Sequence, residues 1–403
     1  MAFCVTPPSR QGLPPSGAQW LGHPSTVRNV PGPCPPASLL SPGDARYNLA
    51  ESTVERLSFG ALLHIAGGAA ALAELGLGYG PRAGSPALRR EVASACGVTA
   101  EEVLTFPGTM LGLFLLASEL CRPGGGEVLL VTPCYGPAQA VLERAGARVR
   151  KSKLRFADGY RPCVGRLSAC LTRATRLVCV ASPQNPSGVR VPVSALRELL
   201  DTMAVRAPRS LLLVDETYRA ATYGEAPPPS AAAMDRRVVT VGSLSKAHGA
   251  PGLRIGWLTV PDPALRERIA AARQDMIISG SVLDEAIAAA LLARQGEVLA
   301  PRRRRLAQAL DLVEAWRAGE AERLGWVRPE AGGLCCIRLR PEVFDAAAVA
   351  RFWAALPSRG LRLAPGVWFG EEDRVFRLGF GHLPPADLPP ALRLLSEVMD
   401  EAL

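Results

Sequence analysis

Aromatic side chains are scarce in this 403-residue chain, at 5%, and charged ones make up only 21%. A nucleic-acid binder needs a clustered basic stripe with stacking aromatics among its cations, and no such stripe is present. The net charge of +9 comes mostly from arginine and reads as a solvated basic surface. Its one dense cluster, Arg302 to Arg305, follows Pro301 and precedes a helical pattern. It is expected on the first turns of a surface helix. Histidine is rarer still: His23, His64, His248 and His382 are isolated from one another. The ten cysteines include the adjacent pair Cys335-Cys336, but no CxxC and no Cys/His ligand spacing. A zinc site and a disulfide framework are thereby disfavoured, no metal is expected, and the thiols should be reduced and mostly buried.

Residues 1 to 43 contain no Asp or Glu and are rich in Pro, Ser and Gly. Such a composition buries too little apolar surface to order itself, and a flexible tail is expected. An acid-poor start also suits a transit peptide. Here only Arg10 and Arg28 are basic, and the prolines oppose an amphipathic helix. Long uninterrupted apolar runs are missing as well. Ala61 to Gly78 comes nearest, but His64 and Glu74 interrupt it, so a buried helix is expected there and not a membrane span. The expectation is a cytoplasmic protein with neither nucleic acid nor membrane as partner.

What is present is ample apolar residue, 48%, in a length that suits one large and one smaller domain. From about residue 79 helix-like and strand-like pieces alternate. Strands are expected at 127–132, 177–181, 210–214, 238–241 and 255–260, with helices at 86–96, 108–121, 137–145 and 193–204 among them. Short apolar strands separated by helices argue for a mostly parallel sheet covered on both faces. After about residue 262 the pattern is helical, then α+β, with strands at 334–339 and 375–380.

Open sheets of this kind bind ligands beyond the carboxyl ends of their strands. Several chemically distinctive residues fall there. Residues 242 to 257 hold one lysine, Lys246, between a strand and a Gly-Pro loop. An exposed loop lysine would read the same way in isolation. Asp215 ends another strand, Tyr218 follows it, Asn185 opens Asn-Pro-Ser-Gly, Tyr135 follows a third strand, and Gly108-Thr109 starts a helix. Together they supply what a pyridoxal phosphate site needs. A lysine amine condenses with the cofactor aldehyde. A carboxylate beside the ring nitrogen keeps it protonated, since an opposite charge within a few ångströms moves a pKa by about 1–3 units. Asn and Tyr can meet the phenolic oxygen, and an aromatic can stack on the ring. Free amides at a helix N-terminus suit a phosphate, and Ser243 and Arg254 add a donor and a charge.

The ordered set Tyr79-Gly-Pro-Arg, Gly108-Thr109, Pro133-Cys-Tyr135, Asn185-Pro-Ser-Gly188, Asp215-Glu-Thr-Tyr218, Ser243-Leu-Ser-Lys246 through Arg254-Ile-Gly-Trp257, and Arg374-Val-Phe-Arg377 resembles the class I/II aminotransferases of the fold-type I pyridoxal phosphate enzymes. The resemblance covers roughly residues 45 to 400. It implies an α/β fold, with a three-layer α/β/α large domain on a mostly parallel sheet and a smaller α+β domain. The implied partition is a tail at 1–43, an entrance segment at 44–78 that contributes to the small domain, the cofactor-binding domain at 79–295 and a small C-terminal domain at 296–403.

It also implies roles. Lys246 would form the Schiff base with pyridoxal 5'-phosphate and shuttle the proton, Asp215 would pair the ring nitrogen, and Asn185 and Tyr218 would contact the phenolic oxygen. Tyr135 would stack on the ring, with ordinary core packing as its alternative. Gly108, Thr109, Met110, Ser243 and Arg254 would hold the phosphate, Met110 through its amide only. Tyr79 would reach the phosphate of a neighbouring subunit, which implies a homodimer with shared sites. Arg377 would grip the substrate carboxylate, with Arg374 as competitor. The substrates implied are an L-amino acid and a keto acid, the amino group passing from one to the other.

The chain departs from many relatives near the entrance. Asn48-Leu-Ala-Glu-Ser-Thr-Val stands near the place of a glycine-rich turn. It resembles the Ala-Glu-Asn stretch of aminocyclopropane-carboxylate synthases, and the layout is similar to the capreomycidine synthase branch, which acts on arginine derivatives. Glu51 is therefore expected either to face a substrate amine or guanidinium, or to be a surface carboxylate. Elimination, replacement with cyclisation, and arginine-type oxidation stay open beside transamination, because the core motif selects the cofactor and not the reaction.

Overall fold

Strands of Val, Leu and Thr with apolar residues on both faces build a seven-stranded sheet in this computed structural model, which describes residues 45–121 and 126–403. Its order is Val103–Phe106, Gly256–Thr259, Val238–Ser243, Leu211–Asp215, Thr175–Ala181, Glu127–Thr132 and Arg148–Lys153. Gly256–Thr259 alone runs antiparallel to its neighbours. The connection that precedes it, 244–255, carries only the 3-10 turn Pro251–Leu253. A parallel return is usually made through an α-helix, and this connection has none.

Successive side chains of a strand leave the sheet on opposite faces, and the core divides accordingly. Leu130, Leu177, Leu213, Val239 and Leu258 pack on one face with helices Thr109–Leu120 and Pro263–Ile277. Leu129, Val178, Leu212 and Val214 pack on the other with Val164–Cys170 and Val193–Arg206. A layer of helix thus covers each face. Register aligns Asp215 with Ala181 on one side and Val241 on the other, so two strands end level at Asp215 and the third runs two residues further, to Ser243.

A second, antiparallel sheet orders Ala364–Pro365, Val375–Gly379, Leu334–Leu339 and Leu324–Val327. Helices Ala346–Ala355 and Leu388–Ala402 cover it around Phe344, Phe352, Phe376 and Leu395. The rings of Phe352 and Phe376 stack at 5.7 Å. Residues 47–57 run from this sheet to the Lys246 loop. Leu49 O accepts from Gly379 N at 2.7 Å, and Leu57 N donates to Gly249 O at 2.8 Å. A Cβ at Gly379 would collide with Glu51 O, so this glycine is what lets the segment lie against the strand.

Three expectations need correction. Residues 61–78 are not one buried helix. They hold two short, largely exposed helices, Phe59–Ile65 and Ala69–Ala73. Gly67 and Gly68, at φ 91° and 88°, take a conformation that ends a helix, and the Gly68 N–H returns to Leu63 O at 2.7 Å. The Arg302 to Arg305 cluster lies inside the helix Gln295–Gly319, beyond its first turns. Val298 and Leu299, both buried, anchor the turns before Pro301, so the helix tolerates the one donor proline lacks. Only Arg304 of the four is exposed; Arg305 pairs with Glu55. The sheet also gains Arg148–Lys153, which the sequence did not mark. It is an edge strand whose charged side chains mask a strand pattern. The expected tail at 1–43 lies outside the described residues. Six of the eight described cysteines are buried and all eight are free thiols. No helix among the described residues is long and apolar enough to cross a membrane.

Replacing Gly379 with alanine should push residues 49–53 off the strand and destabilise the protein by about 1–3 kcal/mol, the usual cost of overpacking. Urea unfolding followed by circular dichroism measures this, and an unchanged midpoint would contradict the close approach of Glu51 to that strand.

Candidate active site

Asp215 closes its strand with a half-buried side chain. Its Oδ1 accepts from the Thr217 N–H at 2.9 Å and from the Thr217 hydroxyl at 2.5 Å. Burial pushes this carboxyl above its usual range, while the two Thr217 donors and the nearby Lys246 charge pull it back. Among the described residues no donor reaches Oδ2. Thr217 was not singled out from the sequence, where it lies unmarked inside Asp-Glu-Thr-Tyr.

The Lys246 amine stands across the cleft. Burial lowers its proton affinity and Arg377 lowers it further, while Glu51, Tyr135 and Asp215 raise it. Its Nζ donates to Ser52 Oγ at 3.1 Å. The same oxygen accepts from the Tyr218 hydroxyl at 2.9 Å. Tyr218 is 5% exposed, and burial pushes its phenol up to about 12. Ser52, itself 5% exposed, was missed in the sequence, since a single serine beside Glu51 carries no local signal.

Arg377 is buried on the strand Val375–Gly379. Its Nη1 donates to Asn185 Oδ1 at 2.8 Å and its Nη2 to Ala50 O at 2.5 Å. The guanidinium lies 4.8 Å from the Phe369 ring centre, and its Nε is buried without a partner. Arg374 turns elsewhere: it donates to Phe344 O at 3.0 Å and meets Glu372 at 3.6 Å. The two arginines that compete in the sequence, where strand phase favours Arg377, thus have different partners.

Gly108, at φ 95°, precedes the helix Thr109–Leu120, and no side chain caps that helix. Its amides are therefore free donors. A Cβ at Gly108 would collide with Arg254 Nη2, which places that guanidinium against the helix start. Gly256 approaches equally closely, since a Cβ there would lie 2.6 Å from Thr109 N. Ser243 is buried beside them. Met110 packs its side chain with the core of that face. Tyr135 begins the helix Gly136–Arg144 and is half-buried. Burial raises its phenol, and Lys246 opposes that shift.

Glu51 sits on the residue 49–54 segment. Its Oε1 accepts from the Ser52 and Thr53 N–H groups at 2.8 and 3.1 Å, and its Oε2 meets Arg56 at 3.2 Å. Burial raises its carboxyl, but Lys246, the two amides and His382 together bring it down to about 2. Tyr79 stands apart from all of these, 85% exposed. Its segment is anchored nearby, where Arg82 O accepts from Arg273 and Ser85 N donates to Glu285.

This donor set fits a phosphorylated pyridine aldehyde: free helix-start amides with an arginine against them, a carboxylate oxygen left without a donor, and a lysine amine between. The fold and cleft are those of a pyridoxal phosphate-dependent enzyme. The chain belongs to the aminotransferase class I and II family, whose sequence model matches residues 44–395. Among curated relatives, capreomycidine synthase of Streptomyces vinaceus is 32% identical over 368 residues, 88% of this chain and 90% of that protein. The arginine–pyruvate transaminase AruH of Pseudomonas aeruginosa is 30% identical over 303 residues, 72% of this chain and 75% of that protein. Among solved structures, the PLP-dependent cyclase OrfR superposes with a TM-score of 0.79 at 26% identity, over 90% of this chain and 95% of that one.

Because the Glu51 carboxyl is held below its ordinary value of 4.5, its stabilising contacts are fully present above that pH and are lost as pH falls toward about 2. The stability advantage of the wild type over Glu51→Gln should therefore shrink below pH 4.5, as read from urea midpoints across pH. A pH-independent difference would mean that Glu51 is not ionised against these partners.

Proposed function

We propose that this enzyme takes an L-amino acid with a cationic side chain and passes its amino group to a keto acid. One observation carries the reading: the Lys246 amine, the ionised Glu51 and the buried Arg377 guanidinium converge on one cleft. Pyridoxal phosphate, the family's cofactor, supplies the aldehyde and the electron-withdrawing ring.

The chain's residues do the rest. The free amides of Thr109 and Met110, with Ser243 and Arg254, would hold the phosphate at the helix start, where Gly108, its own N–H given to Phe106 O at 2.7 Å, would supply only the room a Cβ would fill. Asp215, whose carboxyl burial raises and the Thr217 donors pull back toward ionisation, would pair the ring nitrogen. Asn185, and Tyr218 once its hydroxyl turns from Ser52, would contact the phenolic oxygen. Asn185 spends its Oδ1 on Arg377 and keeps its Nδ2 hydrogens to donate. Tyr135 would offer its ring for stacking on the cofactor. Arg377, oriented by Asn185 and Ala50 O, pairs the substrate α-carboxylate. Lys246, whose proton affinity burial depresses, removes the α-proton as a neutral amine and returns it. Glu51 receives the cationic side chain in place of Arg56. Tyr79 serves the phosphate of a second copy, so the working unit is a homodimer; exposed Leu77, Tyr79, Met276 and Ile278 offer apolar surface for it.

A second reading is elimination or replacement with ring closure. It is supported by the likeness to capreomycidine synthase at 32% identity. The relative named as an arginine–pyruvate transaminase supports transfer. Arginine-type oxidation is the third branch such a cleft permits.

The deciding experiment incubates the purified holoenzyme with L-arginine and other amino acids, with and without pyruvate. Transfer predicts alanine only when pyruvate is present. Ammonia or a cyclic product without pyruvate would overturn it in favour of the lyase or cyclase, and oxygen uptake in favour of the oxidase. Lys246→Ala should lose the visible absorption band and all turnover. Arg377→Lys forfeits the planar fork and should raise KM roughly tenfold to a hundredfold, from the loss of about 1.5–3 kcal/mol in a charged hydrogen bond. Glu51→Ala should raise KM for arginine while leaving that for a neutral amino acid within about twofold, since only the cation loses a partner.

A further inference from the structure

We propose that Ser52 is a positioning residue that seats the Lys246 amine whenever the amine is free of the cofactor. The inference rests on the reading of Lys246 as the reacting lysine and adds a residue to it. Ser52 Oγ lies 3.1 Å from Lys246 Nζ and 2.9 Å from the Tyr218 hydroxyl. One buried oxygen therefore receives two donors. A hydroxyl has two lone pairs and one proton, so both bonds can exist together.

The proton inventory limits what this oxygen does. Tyr218 is a neutral phenol, already carrying its proton and donating it to Ser52. It has no place for a second proton, so Ser52 cannot relay one from Lys246 to Tyr218. Its contribution is to fix where Nζ sits among the titratable groups that face it, namely Glu51, Arg377, Tyr135 and Asp215. Lysine has four side-chain torsions and would otherwise sample many positions at this cleft.

Ser52 is itself held from several sides. Its N–H donates to Glu51 Oε1 at 2.8 Å. Two residues on, Val54 N reaches the carbonyl of Lys246 at 3.5 Å. Three residues back, Leu49 O accepts from Gly379 N at 2.7 Å. The hydroxyl is thus carried by a segment clamped both to the Lys246 backbone and to the strand that presents Arg377. Its neighbour Ala50 gives its carbonyl to Arg377. A single run of main chain therefore sets the distance between the amine that moves the proton and the guanidinium that holds the substrate.

The test compares wild type, Ser52→Ala and Ser52→Thr. In the full-length protein stripped of cofactor, reductive methylation of Lys246 with formaldehyde and cyanoborohydride is followed by peptide mass spectrometry across pH. Loss of the acceptor should lower the apparent pKa of the amine by about one unit in Ser52→Ala, with up to a tenfold faster modification below that pKa. Ser52→Thr should return it to the wild-type curve. In the holoenzyme, kcat of Ser52→Ala should fall roughly tenfold with KM within about twofold, since the substrate-holding groups are untouched. An Ala variant whose Lys246 curve matches wild type overturns the proposal, even if its melting temperature falls, and so does a shift that threonine fails to reverse. Failure of the wild type to take up pyridoxal phosphate would sink the reading of Lys246 instead, and the methylation curves report on Ser52 independently of that.

Discussion

The Lys246 amine is under two opposed demands, and much of the cleft follows from them. A neutral amine is needed to accept a proton, and burial favours the neutral form. A wholly apolar surround would leave the amine without a partner, and the cost of an unpaired buried donor is steep. The structure meets both demands by lining the amine with Glu51 and Asp215 at charge distance, Arg377 as counterweight, and one neutral oxygen, Ser52 Oγ, at hydrogen-bond distance. Neutral contact supplies geometry with little charge, so the amine stays responsive to what enters.

The scaffold serves that balance through backbone contact more than through side chains. Register sets the strand that leads to Lys246 beside that of Asp215, with Asp215 opposite Val241 and Ser243 two residues further on. The entrance segment 47–57 reaches across from the antiparallel sheet, and it can do so only where side chains are missing. Gly379 admits the carbonyl of Glu51 to the strand, and Gly249, at φ 66°, admits the carbonyl of Glu55 to the lysine loop. A similar economy operates at the helix start, where Gly108 and Gly256 leave room for Arg254 and for a free amide. A phosphate at a helix start needs close backbone approach, and a Cβ on either glycine would fill the space.

Legibility from sequence varied with how local each cause is. The buried strands read clearly because apolar runs bounded by turns are local signals, as at Glu127–Thr132 and Leu334–Leu339. Helix Pro86–Cys96 read clearly because its proline start and Gly97 end are local too. The edge strand Arg148–Lys153 did not, since solvent on one side lets it carry charge. The continuation of Gln295–Gly319 through Pro301 did not either, because packing of Val298 and Leu299 decides it. At the site, Lys246, Asp215, Asn185 and Arg377 stood out by type and order. Ser52, Thr217 and the carbonyl of Ala50 did not, since a serine, a threonine and a peptide oxygen are ordinary until something is seen to touch them.

The sequence by itself determined the chemical inventory: which amine, which carboxylates and which guanidinium are available, and that they follow strand ends in an order suited to one cofactor. Those are properties of residue type and spacing along one chain. The tertiary structure alone decided which partners orient Arg377, that Glu51 lies close enough to Lys246 for its carboxyl to be held down to about 2, and that Ser52 joins Lys246 to Tyr218. Each of these depends on groups far apart in sequence, such as Ser52 and Lys246 across 194 positions. Their separation is set by how two sheets and one connecting segment pack, and no local pattern encodes a distance between them.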